Sequence, residues 1–165
     1  MPRPACRLGI AAVLAIAALA APQARAEGGL AGAYLAARSA SGNSDYEAAA
    51  RYFTMALVHD PSNPLLLESA AIAQVALGRL DLAVPVARQL KEVAPGNQMA
   101  ELVLLTSELA AGDYAAVAES FARDRSIGPL VDGLVQAWVQ LALGNAGEAL
   151  ALFDAVIAQP AIAPF

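Results

Sequence analysis

The chain has 165 residues, 58% apolar and 15% charged, with 10 basic against 15 acidic side chains and a formal net charge of −5. That balance excludes a nucleic-acid binder, because phosphate contacts need a basic stripe. One cysteine, Cys6, excludes an internal disulfide framework, and one histidine, His59, excludes a His-based metal cluster.

Residues 1–7 carry Arg3 and Arg7 and no acid, residues 8–21 are an uncharged apolar run, and Ala24 and Ala26 bracket Arg25. A basic start, an apolar middle and small residues at the end form a secretory signal. The apolar run is about 14 residues, short of the roughly 20 that a spanning helix needs. Cleavage is therefore expected after Ala26, with residues 1–26 a signal peptide and the mature protein periplasmic or secreted, without an integral membrane span. Cys6 precedes the apolar run, whereas a lipoprotein cysteine ends it. Removing Arg3, Arg7 and Arg25 from the 10 basic residues leaves 7 against 15 acids, a net charge of −8.

From residue 30 onward the pattern predicts helices joined by short turns. The first spans residues 30–40 and breaks at Ser41-Gly42-Asn43. The second starts at Ser44, whose hydroxyl is placed to cap free amides while Glu47 reaches back, a capping box. It ends before Asp60-Pro61, since a proline disfavours helical backbone in the residue before it. Asn63 then serves as N-cap with Pro64 at the first helical position, where a missing amide costs nothing. This third helix runs over 64–77.

Residues 81–93 form the fourth, with Pro85 removing one amide bond, so the helix either starts late or bends in its first turn. Residues 98–111, 114–123, 129–143 and 146–158 complete the series. Gly78, Gly112 and Gly144 end the first helix of each pair, where left-handed backbone favours glycine. Alanine and leucine dominate, the best helix formers, and small alanines let helices approach closely.

The breakers are periodic. Pro61, Pro95 and Pro129 stand 34 residues apart, and Ser44, Gly78, Gly112 and Gly144 follow at steps of 34, 34 and 32. Tyr46, Leu80 and Tyr114 keep the same phase. A plain helical bundle gives no reason for a fixed step; a stacked array of helix pairs does.

These residues resemble the tetratricopeptide repeat family over nearly all of residues 30–161. Ser44-Asp45-Tyr46, Ala49-x-x-x-Phe53, Ala56 and Asp60-Pro61 match its turn, second helix and closing proline. Gly112-Asp113-Tyr114, Phe121 and Pro129 match again, as do Gly144-Asn145 and Ala149-x-x-x-Phe153. The second unit keeps Gly78, Leu80, Ala83 and Pro95, with Ala87 where an aromatic is usual. The expected fold is an all-α, right-handed α-solenoid of about four antiparallel helix-turn-helix repeats. The repeat domain covers 27–161, with units near 30–63, 64–97, 98–129 and 130–161, and residues 162–165 are a tail.

Tyr46, Phe53, Tyr114, Phe121 and Phe153 are the expected wedges, with Ala37, Ala71, Ala137, Ala49, Ala83 and Ala149 as close-contact points. The resemblance implies that the first helix of each pair lines a concave groove. On this chain that face carries Tyr34 and Arg38, then Leu65, Glu68, Ile72 and Val75. It continues through Met99, Leu102, Thr106 and Leu109 to Val131, Leu134, Trp138 and Leu141. Members that clamp a chaperone tail use clustered Lys and Asn here, whereas this face has Arg38 alone. An apolar groove suits an amphipathic helix or other apolar segment, with Trp138 as anchor.

Residue types for catalysis are scarce. No mature cysteine, Gly-x-Ser-x-Gly elbow or phosphate-cradling loop occurs. Glu101 and Glu108, seven apart on one helix, read as a solvated face, and His59 as a cation suited to a helix end. The expectation is a noncatalytic scaffold without cofactor or metal that holds a protein or peptide. Its apolar last residues leave two alternatives open: a self-associating assembly subunit, or a noncatalytic domain of a longer envelope enzyme or export machine.

Overall fold

A computed structural model describes residues 29–123 and 125–159; the signal-peptide expectation and the tail at 162–165 lie outside them. The described residues form eight helices and no strand: α1 (Leu30–Gly42), α2 (Tyr46–His59), α3 (Pro64–Ala76), α4 (Leu80–Val93), α5 (Gln98–Ala110), α6 (Tyr114–Arg123), α7 (Pro129–Ala142) and α8 (Ala146–Ile157). Each helix packs on the next, and α3 also touches α5, so consecutive helix pairs stack into an all-α solenoid. No described helix is long and apolar enough to cross a membrane.

The turns show why this sequence breaks where it does. Gly78, Gly112 and Gly144 adopt φ of 70°, 75° and 86°, and Ser44 takes the same left-handed turn at 59°. Ser44 is therefore not the cap that the capping-box reading expects. It has the glycine's job, and Asp45 caps α2 by accepting a hydrogen bond from the Ala48 amide at 3.0 Å. Glu47, freed from the box, pairs with Arg79 of the next repeat at 2.8 Å. Asn63, Asn97 and Asp113 cap α3, α5 and α6 through their side-chain oxygens.

A late start forced by Pro85 does not occur, and Pro129 opens its helix as the 129–143 span predicts but does not close a second helix as the repeat match implies. Pro85 lies inside α4, which starts at Leu80 and continues through it. Pro61 and Pro95 sit in the turns that follow α2 and α4, whereas Pro129 is the first residue of α7. Although the third proline keeps the 34-residue step, it has the role of Pro64 and not of Pro61. Helix α7 begins early because the fourth unit is two residues short. Asp132 secures that early start: its carboxylate accepts from the Ile127 amide at 2.8 Å and from the Ser126 hydroxyl at 2.7 Å.

Packing follows the alanine pattern. Ala37, Ala71, Ala137, Ala49, Ala83 and Ala149 are all at most 1% exposed, so the helices of each pair meet at their smallest side chains. Phe53 is the one expected wedge that is fully buried. Tyr46, Phe121 and Phe153 are half-buried, and Tyr114 is exposed, contrary to its expected wedge role. Helices α7 and α8 approach closely at Gly133, where an added Cβ would overlap Val156 Cγ2.

Among the described residues three clusters form the core. The first joins α1, α2 and α3 around Phe53, with Leu66 and seven alanines. The second joins Leu67, Ala87, Leu90, Ala100 and Val103, with Leu57 packed against it. The third, Leu105, Val117, Ile127 and Val139, contains no alanine and draws Ile127 from the α6–α7 loop.

Candidate functional site

The first-helix face divides into exposed ends and a filled middle. On α1 and α3, Tyr34, Arg38, Leu65, Ile72 and Val75 are exposed. Tyr34 and Leu65 meet across a hollow of about 410 Å³, completed by Leu30, Ala31, Asn63 and Leu66. Glu68 is half-buried and already occupied, since its Oε2 accepts from the Asn97 side chain at 3.0 Å. That bond ties the third helix to the cap of the fifth.

On α5 the stripe turns inward. Met99 packs against the second core cluster, Leu102 and Leu109 against the third. Thr106 is exposed, and its hydroxyl donates to the Leu102 carbonyl at 2.7 Å. On α7, Val131 also joins the third cluster, while Leu134, Trp138 and Leu141 are exposed.

Trp138 is 61% exposed although its ring meets Phe153 of α8 edge to face, with centroids 5.5 Å apart and planes at 82°. That contact fixes the indole's orientation without covering it. Leu109 and Trp138 share a second hollow of about 390 Å³ with Tyr114, Val135, Val139 and Ala142. Of the stripe, Tyr34 and Leu65 line one apolar hollow and Leu109 and Trp138 the other.

A polar cluster lies at the α4–α5–α6 junction. Glu101 is only 7% exposed, not part of a solvated face. Lys91 Nζ stands 2.7 Å from its Oε1, and Arg125 Nε 3.4 Å from its Oε2. No donor is aligned for a hydrogen bond to Oε2 among the described residues, so Arg125 acts on it as a charge. Arg125 is itself buried. It grips Glu108 with both terminal nitrogens, one at 2.9 Å, and donates to the Ser120 hydroxyl at 3.0 Å.

The Arg125 hydrogen bond holds the Glu108 carboxyl below the ordinary glutamate range; partial burial opposes this, and the charges of Arg125 and Lys91 add to it. The same bond raises Arg125 above its ordinary value against the cost of burial. A carboxylate locked to a guanidinium in this way is a poor proton carrier, and the arrangement works as a clip between helices.

The repeat register carried a signal for this cluster. Counted back from the left-handed turn residues, Glu101 occupies the position of Ala33 and Leu67, which are buried and apolar. Lys91 and Arg125 fall at successive 34-residue steps from Leu57. A charge in a core position of the repeat must be paired.

No group of three or more His, Cys, Asp or Glu placed to hold a metal occurs among the described residues. No protein-family model matches this chain, and no curated protein matches it.

Proposed function

We propose that this protein is an exported scaffold of the tetratricopeptide type that holds an apolar protein segment along its first-helix face without catalysing a reaction. The observation that carries the reading is Trp138: a large aromatic, fixed by Phe153, left mostly exposed and set in an apolar hollow. Exposed apolar groups collected in concave sites favour binding. The hollow at Tyr34 and Leu65 supplies a second anchor on the same stripe, and the filled middle at Met99 and Leu102 gives the bound segment a smooth floor. The signal-like residues 1–26 support export, and amino-terminal sequencing of the mature protein is expected to begin at Glu27.

Site-specific photocrosslinking tests the groove. A photoreactive residue at position 138 is expected to give a discrete protein adduct in intact cells. The same group at exposed Val58 of α2, on a second helix, is expected to give none. Equal labelling from both positions, or none from 138, would defeat the reading. Trp138→Ala is expected to weaken binding of the captured partner by about 2 kcal/mol, more than the loss of about 1 kcal/mol in stability from the missing Phe153 contact.

A further inference from the structure

The alanine contacts serve three helix pairs, and the α5–α6 pair lacks them. Counted from the left-handed turn residues, Ala37 and Ala49, Ala71 and Ala83, and Ala137 and Ala149 hold equivalent positions. In α5 and α6 those positions are Leu105 and Val117. Both are buried in one cluster with Ile127 and Val139. Side chains at the contact set how near two helices come, so this pair stands further apart than its neighbours.

The packing of α6 reflects that separation. Helix α6 has 10 residues against 14 in α2 and in α4. It ends one residue short of the position that Ala56 and Leu90 hold, both fully buried. Val117 is its one buried residue, whereas α2 buries four and α4 three. Phe121, at the position of Phe53 and Ala87, is half-buried. Openings flank the helix along its length: the hollow at Tyr114 and Trp138, a polar hollow of about 420 Å³ at Ser120 and Arg123, and a void of about 30 Å³ beside Ala118 and Phe121.

The chain beyond α6 is fastened without it. Arg125 grips Glu108 of α5, the Gln98 side chain of α5 donates to the Ile127 carbonyl, and Ile127 is buried in the cluster of Leu105 and Val139. The loop before α7 is therefore held directly by α5. Ser120 links α6 to this fastening: its carbonyl accepts from the Arg125 amide and its hydroxyl from the Arg125 guanidinium, both at 3.0 Å.

We propose that α6 is a strap that leaves the solenoid as a unit while the helices on either side stay folded, and that its departure removes the Tyr114 wall from the hollow at Trp138. A segment with few buried apolar contacts, set between better packed neighbours, opens at less cost than the whole molecule. Tyr114 lines that hollow with Leu109 and Trp138. Opening widens it, and a segment seated against Tyr114 shifts α6 toward the closed state. The strap does not depend on what the hollow holds; its consequence for binding rests on the groove reading.

Hydrogen exchange resolved by residue with nuclear magnetic resonance, on the full chain without partner, tests the strap. Amides 118–122 are expected to exchange at least about tenfold faster than the slowest amides of α2 and α4. Their rate is expected to change little with low urea, because local opening exposes little surface. Leu67→Ala is expected to speed the α2 and α4 amides and to leave those of α6 as they were. Amides of α6 that exchange as slowly as those of α4 overturn the proposal. So does α6 exchange that rises in step with the rest on adding urea or on Leu67→Ala, which would mean that α6 opens only when the whole chain unfolds. Such a result leaves the groove standing, since crosslinking from position 138 tests that separately.

Discussion

Leu57 and Leu67, where the first helix pair meets the second, stand 34 residues before Lys91 and Glu101, where the second meets the third. At the first junction Leu57 packs against the apolar cluster that holds Leu67. At the second, the same two positions hold an ion pair 2.7 Å apart, and Arg125 one step later adds its own charge. Burying a leucine contributes about 1.5–3 kcal/mol. A buried ion pair comes near break-even against an apolar pair, because desolvation offsets the attraction. The first junction is therefore held by exclusion of water. The second gains less net stability, while the paired grip of Arg125 on Glu108 ties α5 to the loop after α6.

The largest effects come from breaking each junction in turn. Leu67→Ala is expected to lose about 2–5 kcal/mol by cavity formation, and Arg125→Met about 3 kcal/mol by leaving Glu101 buried with Lys91 alone. Urea unfolding at two pH values separates them. Glu108 binds fewer protons folded than unfolded, so its contribution is present above the ordinary glutamate range and is lost as pH falls through its lowered folded value. The deficit of Arg125→Met then shrinks in acid, while that of Leu67→Ala stays constant. Arg125 itself, with its value raised, loses its contribution only in strong alkali.

A smaller change sharpens the contrast between tight and loose helix pairs. Gly133→Ala forces a methyl into Val156 and is expected to cost about 1–3 kcal/mol by overpacking, with part recovered by adding Val156→Ala. Smallest is Ser44→Gly, which gives the first turn the residue that the other three already have. It is expected to raise stability by about 1 kcal/mol or less, read as a higher thermal midpoint, by relieving left-handed backbone at a non-glycine.

How much was legible follows the same division. Turn glycines, asparagine caps and prolines act through local backbone rules, and no helix boundary moved by more than two residues. The alanine contacts were legible because the repeat fixes which positions face inward. Pro129 misled because its 34-residue spacing survived while its role did not. Ser44 misled because its side chain fits a cap and its repeat position demands a left-handed turn, and position prevailed. Glu101 was missed because spacing along one helix pairs it with Glu108 as if both faced water. Its partners come from α4 and from the loop after α6, and only the register with Ala33 and Leu67 shows that it points inward. The exposure of Tyr34, Leu65, Leu134 and Trp138 agrees with their place on the first-helix stripe. The turn of Met99, Leu102 and Leu109 toward the core was not legible, because it depends on how α5 packs on its neighbours.

One measurement bears most directly on the claim that the two junctions are the same joint in different chemistry. The combined variant Lys91→Leu, Glu101→Leu and Arg125→Met rebuilds the second junction on the apolar plan of the first. Urea unfolding at neutral pH is expected to find it as stable as the unaltered protein or more stable by about 1–4 kcal/mol, although Arg125→Met alone is destabilised. A combined variant less stable than Arg125→Met alone would contradict the equivalence of the two junctions.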